Sequence, residues 1–424
     1  MPKVSIILTS YNRPRLIGSV IQSVIDQTYE EWELWIMDDH SQEETVQAIA
    51  PFISDPRVHF YNSKIEDKDR YKTTRYATLI NEAIRLSEGD YICYLTDDTF
   101  YYPDKLSKMV TFLQDHPQVD VVYSSQCVKH TDPAYHVFYE SEIKAETILE
   151  KAAFKVDHCS VMHTRTLAQK VRQKYGEYWD DDPKYWHCAD AVFWSRLNDF
   201  ACFYPLPEPL EYTLKATNCF QYLYANLPED IPDGTLVKGL KDELFLIENQ
   251  KRRPISEQMF RALQYESSKI VMIPDPFLFR YSEGIKIAED SPLPNKRLVT
   301  ADNIHYYYLQ QGCKCLIENE AAFSRYHFQD MPAIQLSEKQ VIDLPDGSMI
   351  RACIKTIEDA PELLYVYDDR YFLYHDHLLH EMQIEVVLKL KLSLAQAVSL
   401  TDREFHLFKQ GKGYEWKLPV SQLM

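Results

Sequence analysis

The chain has 424 residues, long enough for two domains. Hydrophobic residues make up 45% and charged residues 26%, a globular balance that excludes disordered and collagen-like classes. The formal net charge of −18 argues against nucleic acid or an anionic membrane as partner, because both are bound by lysines and arginines that neutralise phosphate.

The N-terminal part alternates strand and helix. Val4 to Leu8 reads as a buried strand, followed by a helix with Leu16, Val20, Ile21, Val24 and Ile25 on one face. Glu33 to Met37 is a second strand ending in Asp38-Asp39, and Glu43 to Ile53 a helix. Val58 to Tyr61 is a third strand, and Thr74 to Leu86 a helix. Tyr91 to Leu95 is a fourth strand ending in Thr96-Asp97-Asp98, with a helix over Pro103 to Leu113 and a fifth strand over Val119 to Tyr123. Such alternation with apolar strands predicts an α/β, doubly wound, mostly parallel sheet covered on both faces.

Further on, helices are expected at Thr166 to Tyr175 and Ala189 to Leu197. Asn226 to Gly234, rich in Pro and Asp, reads as linker. Beyond it, Leu236, Leu240, Leu244 and Ile247 suggest one helix, and the rest is strand-like. Met382 to Leu394 alternates as one long strand, and Asp346-Gly347 reads as a hairpin turn between Val341-Ile342 and Met349-Ile350. No internal repeat is evident. The expected division is a first domain over 1–215, a linker over 216–234, and a strand-rich α+β domain over 235–424.

Glycine is scarce, with 10 residues, and before the middle of the chain only Gly18, Gly89 and Gly176 occur. Neither GxGxxG nor a Walker loop can be built from these. The absence of a glycine-rich, basic triphosphate loop also counts against a nucleotidyltransferase. A phosphorylated ligand would instead need a metal held by carboxylates. Nine cysteines without a CxxC pair read as reduced thiols of a cytoplasmic protein. No signal peptide and no membrane-spanning apolar run is seen.

In an open parallel sheet, ligands bind beyond the carboxyl ends of the strands. Here those ends carry Thr9-Ser10-Tyr11-Asn12, Asp38-Asp39 and Thr96-Asp97-Asp98. A carboxylate such as Asp39 can accept the imide N–H of uracil or thymine, and guanine's N–H groups could also serve. Asp98 can hold Mg²⁺ or Mn²⁺ against a diphosphate. Equally, aspartates at such turns can simply cap the next helix.

The blocks Val4 to Pro14, Trp35 to Ser41 and Tyr94 to Asp98 resemble the family 2 glycosyltransferases of GT-A fold. Lys72 to Asn81, Asp157 to His163 and Ala189 to Trp194 resemble spore-coat polysaccharide glycosyltransferases, and the longer chain resembles related proteins that mature the outermost spore layer. The resemblance spans roughly the first half of the chain. It implies transfer of a sugar, with inversion, from a UDP- or dTDP-type nucleoside diphosphate sugar to a hydroxyl of a spore or cell-surface polysaccharide. It implies that Thr9, Tyr11 and Asp39 hold the nucleoside, that Arg75 approaches the base or phosphates, and that Asp97 lies near the ribose or donor sugar. Asp98 would be the direct ligand of Mn²⁺ or Mg²⁺, in a motif that starts with Thr96, and Asp190 would be the catalytic base. Location in the mother-cell cytoplasm, with or without attachment to the spore surface, follows from the same resemblance.

Read locally, Asp190 could instead be a helix N-terminal residue favoured by the helix dipole. Asp157 and His158 suit the donor-sugar side or a structural hydrogen-bond pair. Trp179, Tyr185 and Trp186 could stack on sugar rings or pack a core, and the segment Gly176 to His187 could form a lid. His375, His377 and His380 with Glu381 lack a zinc spacing and read as solvated or satisfied histidines, as Cys313 and Cys315 read as ordinary thiols. A GT-A shell kept as a non-catalytic binding or assembly module of the spore outer layer is the alternative reading of the whole.

Overall fold

The computed structural model describes residues 1–217 and 219–416. Asn218 of the expected linker and residues 417–424 of the expected C-terminal domain lie outside the described residues. The chain divides into two compact units, Met1–Tyr222 and Leu223–Met424. Residues 223–234 of the expected linker fold with the second unit, where Leu227 and Ile231 are buried and the Ile231 N–H donates to Tyr281 Oη at 2.7 Å.

The first unit is built on one nine-stranded sheet. Its strands are β1 (Val4–Ser10), β2 (Trp32–Asp38), β3 (Val58–Asn62), β4 (Tyr91–Thr96), β5 (Thr99–Tyr101), β6 (Val121–Thr131), β7 (Val137–Ile143), β8 (Val161–Thr164) and β9 (Tyr204–Ala216). The helices are α1 (Ile17–Ile25), α2 (Glu43–Ile49), α3 (Arg75–Leu86), α4 (Lys105–Asp115), α5 (Arg165–Tyr175) and α6 (Ala189–Asn198). The strand order is β3-β2-β1-β4-β8-β6-β9-β5, with β7 on β6. The first four strands are mutually parallel. Strand β8 then enters antiparallel between β4 and β6, and the sheet becomes mixed. The proline-rich run Tyr204 to Pro209 opens β9, paired with β6 through an irregular register.

Side-chain alternation sends each strand into two cores. Ile6, Leu8, Cys93 and Leu95 meet Ile17, Val20 and Val24 of α1 and Leu106, Met109 and Val110 of α4. Ile7, Ile92 and Tyr94 meet Leu79, Ile80 and Ala83 of α3, Leu167 and Val171 of α5, and Phe193, Trp194 and Leu197 of α6. Each fully buried aliphatic side chain contributes about 1.5–3 kcal/mol, so both faces anchor the strand ends firmly.

The second unit is a threefold repeat that its sequence does not announce. Each repeat runs through three antiparallel strands, a helix, a short strand, a second helix and a final short extended segment. The first repeat has β10 (Leu236–Lys238), β11 (Leu244–Glu248), β12 (Lys251–Ile255), β13 (Val271–Met272) and β14 (Ser282–Glu283). The second has β15 (Leu298–Thr300), β16 (Tyr306–Gln310), β17 (Cys313–Leu316) and β18 (Ala333–Gln335), and its last segment makes a parallel bridge from Asp346 to Lys314. The third has β19 (Leu364–Tyr367), β20 (Arg370–His375), β21 (Leu378–Met382), β22 (Val398–Ser399) and β23 (Lys409–Gln410). In every repeat the first strand pairs parallel with the short strand that follows the helix. The glycines obey the same order: Gly284, Gly347 and Gly411 donate their N–H to the carbonyls of Arg252, Lys314 and Leu379 at equivalent strand positions.

Three sequence expectations are corrected here. The helix expected over Leu236 to Ile247 is the hairpin of β10 and β11, in which Leu236 faces Leu246. The long strand expected over Met382 to Leu394 ends at Met382 and gives way to a helix over Ile384–Lys389. The run around Val341 is the helix Glu338–Asp343, started by a capping box of Ser337 and Gln340, so Asp346-Gly347 joins no hairpin.

Candidate functional site

The polar residues at the ends of β1, β2, β3 and β4 interlock. Asn12 and His40 adopt positive φ of 51° and 59°, which turns the chain sharply after β1 and after β2. The Asn12 N–H donates to Ser41 Oγ at 2.9 Å, and Asn12 Oδ1 accepts from the Gln42 N–H at 2.7 Å. Asp38 Oδ2 accepts from the Ser41 N–H at 3.0 Å and from Asn62 at 2.8 Å. Thr9 is half-buried at the end of β1.

Asp39 is buried between two arginines. Arg70 Nη1 reaches Asp39 Oδ2 at 2.5 Å, Arg75 Nη2 reaches Oδ1 at 2.7 Å, and Ser63 Oγ donates to Oδ1 at 3.1 Å. The Arg70 guanidinium also lies 4.3 Å from the centre of the Tyr11 ring, a cation–π contact. Burial weakens the hold of Arg70 on its proton, but Asp39, Tyr11 and Asp67 together outweigh it, and the guanidinium stays charged. Both Asp39 oxygens are thus engaged by protein donors, and an incoming nucleobase N–H would have to displace one.

Asp97 and Asp98 follow β4. Asp97 Oδ2 accepts from the Tyr11 N–H at 2.8 Å, and Arg13 Nε stands 3.9 Å from Oδ1. Burial pushes the Asp97 carboxyl up to about 7 against the pull of Arg13, and the adjacent Asp98 charge adds to the rise. Asp98 Oδ1 accepts from Thr96 Oγ1 at 2.7 Å, whereas no donor among the described residues reaches its Oδ2. A carboxylate oxygen of this kind, on a residue of intermediate burial, is a hard donor, so the pair suits a Mg²⁺ or Mn²⁺ ion.

Asp190 occupies the first turn of α6. Its Oδ1 accepts from the Ala191 N–H at 2.8 Å, and the Ala189 N–H donates to Tyr76 Oη at 2.7 Å. Burial raises the Asp190 carboxyl above the ordinary range, His158 opposes the rise, and Asp157 adds to it. Asp157 caps the turn before β8 by accepting from the Cys159 N–H at 3.0 Å. His158 stacks on Tyr76 at 6.4 Å and edges against Trp179 at 6.2 Å, and its buried Nε2 has no hydrogen-bond partner among the described residues. Cys159 Sγ lies 3.5 Å from Thr96 Oγ1. The short turn 157–159 therefore reaches toward Asp98 on one side and Asp190 on the other.

Trp179 does not face a ligand. It is fully buried, stacks on Phe193 at 4.9 Å, and donates from Nε1 to Tyr94 Oη at 3.3 Å. Trp186 is half-buried and edges against Phe220 at 4.8 Å. The segment between them is fastened down. Thr74 donates from its N–H to the Asp181 carbonyl at 2.8 Å and from Oγ1 to the Asp182 carbonyl at 2.7 Å, and Arg196 holds Asp180 at 2.5 Å. A lid there would have to break these bonds.

Sequence reasoning missed Arg70, Arg13 and Tyr76 as parts of the site. Arg13 and Tyr76 lie within blocks that carried the resemblance. Arg70 sits in the charged run Asp67-Lys68-Asp69-Arg70, which reads as a solvated face yet buries its arginine to 1% exposure.

Parallel strands ending in paired aspartates, an antiparallel strand set against them, and a carboxylate opening the following helix are the features expected of an α/β sugar-transferring enzyme of the GT-A class. The chain belongs to glycosyltransferase family 2. The family described as "Glycosyl transferase family 2" matches residues 5–176. Protein CgeD of Bacillus subtilis (strain 168) is 40% identical over 416 residues, covering 97% of this chain and 96% of that one. The putative teichuronic acid biosynthesis glycosyltransferase TuaG of the same organism is 30% identical over 115 residues, covering 27% of this chain and 43% of that one. A solved structure, S. aureus TarS 1-349 in complex with UDP-GlcNAc, matches with a TM-score of 0.39 at 16% identity, over 50% of this chain and 58% of that one. No helix among the described residues is long and apolar enough to cross a membrane.

Proposed function

We propose that the chain transfers a sugar, with inversion, from a UDP- or dTDP-type donor to a hydroxyl of a spore or cell-surface polysaccharide. The observation that carries this reading is the pairing of two carboxylates of different character around the 157–159 turn. Asp98 keeps one oxygen free of donors among the described residues. Asp190 is made more basic by burial. Asp190 takes the acceptor hydroxyl's proton as the new bond to the anomeric carbon forms and the bond to the diphosphate breaks. Asp98 would hold Mg²⁺ or Mn²⁺, whose charge offsets that of the diphosphate when bound. Tyr11 and Thr9 border the nucleoside side, with Arg70 and Arg75 holding Asp39 in place. Asp157 and His158 line the donor-sugar side. The resemblance to spore-coat enzymes and the name of the TuaG relative support a polysaccharide acceptor, and the former supports work in the mother cell.

The test is a thermal-shift screen of UDP, dTDP and GDP, each with and without Mn²⁺. A ligand that binds only the folded chain raises its stability by RT ln(1 + [L]/Kd), about 2.7 kcal/mol at a hundredfold excess over Kd. UDP or dTDP should shift the first unit only when Mn²⁺ is present, and less in Asp98→Asn. Absence of a shift with every nucleotide sinks the reading.

A further inference from the structure

The three repeats of the second unit place equivalent residues around one cavity of about 790 Å³. Strand registers set Gly234, Lys296 and Glu362 at one such position, two residues before Leu236, Leu298 and Leu364. Glu248, Gln310 and His375 occupy the last position of the second strands, and Asn249, Gln311 and Asp376 begin the two-residue turns that follow. Those turns have positive φ at both residues in all three repeats, including 49° and 60° at Asp376 and His377. Shared backbone has thus diverged in side chains, and the third repeat alone carries glutamate, histidine and aspartate at the three positions.

His375 stands with carboxylates on both ring nitrogens. Nδ1 is 3.3 Å from Oε2 of the buried Glu362. Nε2 is 3.3 Å from Asp376 Oδ2 and 4.0 Å from Asp233 Oδ2, the latter contributed by the first repeat. Glu362, His375 and Asp376 each offer one ligand atom within 4.8 Å of the others. In the tautomer whose Nδ1–H donates to Glu362, the Nε2 lone pair points at carboxylate oxygens, an arrangement that a cation between them resolves. Two ligands each about 2.0–2.2 Å from a shared Zn²⁺ lie about 3.3–3.6 Å apart at the tetrahedral angle. The 3.3 Å pair already has that spacing, and Asp233 Oδ2, which also accepts the Asn249 N–H, stands 4.0 Å from Nε2. The Lys296 ammonium, which donates to the Asp233 backbone carbonyl at 2.7 Å, sets one positive charge against the three carboxylates of Glu362, Asp233 and Asp376, so two negative charges are left for a divalent cation to balance.

We propose that the second unit holds one divalent transition-metal ion of the Zn²⁺ class through His375 Nε2, Asp376 and Asp233. Glu362 orients the imidazole from behind, in the way carboxylates commonly back a zinc-bound histidine. The remaining coordination position opens onto the cavity, where water or an oxygen-rich ligand can complete the sphere. The ligands come from two repeats, so the ion would tie the first repeat to the third. This departs from the sequence reading of the histidine cluster as solvated or satisfied side chains at one member. Of its members only His375 takes part: His377 is exposed, and His380 Nδ1 lies 2.8 Å from the Lys412 carbonyl.

The test uses the full chain, stripped with chelator and then dialysed against Zn²⁺ or Co²⁺ without nucleotide. One equivalent should be retained, and the bound Co²⁺ spectrum should lack thiolate charge-transfer absorption, which separates this centre from the free cysteines. His375→Ala should lower affinity at least tenfold, and Glu362→Gln about 10–100-fold. Asp98→Asn should leave this binding unchanged, so failure here and failure of the nucleotide-site reading are distinguishable. Asp376→Asn, whose side chain is mostly exposed, tests the same site should His375→Ala fail to fold. No retained ion, or retention undiminished in His375→Ala or in Asp376→Asn, overturns the proposal.

Discussion

The two ends of the first unit's sheet use the same chemical group in opposite ways. At the amino end, Glu33 is buried and saturated. It accepts from Ser5 Oγ at 2.7 Å, from the Glu88 N–H at 2.7 Å, from the Gly89 N–H at 3.0 Å and from Lys3 Nζ at 3.1 Å. Burial alone would raise its carboxyl, but the Glu88 N–H, Ser5 and Lys3 outweigh it and hold it below the usual range. At the carboxyl end, Asp97 and Asp190 are raised because burial exceeds what their donors return. A saturated carboxylate contributes stability, whereas an under-compensated one stores basicity that a ligand or a proton transfer can use.

The strongest way to break this contrast is Asp190→Asn. Turnover should fall by about 10²–10⁴-fold, the usual size of a lost general base, with donor KM within about threefold. The variant should also be more stable at neutral pH. A raised folded-state carboxyl binds its proton more tightly than the unfolded chain does, so its contribution is present at low pH and lost as pH rises through the folded value. Removing the charge should therefore raise Tm by about 2–4 °C for each 1 kcal/mol recovered. Normal turnover with a lowered Tm would remove the distinction between the two ends.

Next in size comes Gly89→Ala. A methyl there would lie 2.5 Å from both Ser5 N and Ser5 Oγ and 2.8 Å from the Lys3 carbonyl, so the backbone at the start of β1 would have to shift. About 3 kcal/mol of stability should go, read from denaturant midpoints, with turnover per folded molecule intact.

Glu33→Gln should cost about 2 kcal/mol, because a charged acceptor of several donors is replaced by a weaker one. The sign with pH is opposite to that of Asp190. A folded carboxyl below its unfolded value of about 4.3 contributes stability above that pH and loses it as pH falls through the folded value. The wild-type chain should lose this increment on acidification, and Glu33→Gln should not. Parallel acid curves for the two chains would show that Glu33 is not what holds the amino end.

The sheet and its aspartates were legible because continuous apolar strands and Asp-rich ends are local signals. The second unit was not, because its signals mislead locally. In Met382 to Leu394 the apolar residues alternate, yet Val386, Val387 and Leu390 are buried while Ile384 and Leu388 are exposed, which is a helical face. Leu236, Leu240, Leu244 and Ile247 fit a helical spacing but fall on two strands and the turn between them. The repeat escaped notice because its three copies share backbone rather than side chains. Its surviving cues are the final glycines and the helix caps Ser337 and Thr401 at matching places. Arg70 was hidden for the converse reason: a charged run gives no local hint that one guanidinium turns inward to Asp39.

The smallest effect sharpens the contrast at the seam between the parallel and reversed strands. Thr164 ends β8 on the amino side of β4, facing Tyr91, and begins α5. Its Oγ1 accepts from the Leu167 N–H at 3.2 Å, satisfying one of the orphan donors of the helix, and donates to Asp120 Oδ1 at 2.8 Å. Thr164→Ala removes both bonds at a half-buried position, which should cost about 1 kcal/mol. Because α5 carries Leu167 and Val171 into the same core as Phe193 of α6, a loosened α5 could disturb Asp190 indirectly. If the two ends are as separable as their carboxylates indicate, Thr164→Ala lowers the denaturant midpoint while the pH dependence of turnover keeps its shape. A displaced acid limb in that variant would mean that the basicity of Asp190 depends on how tightly α5 closes the core, and not on the burial of its own turn alone.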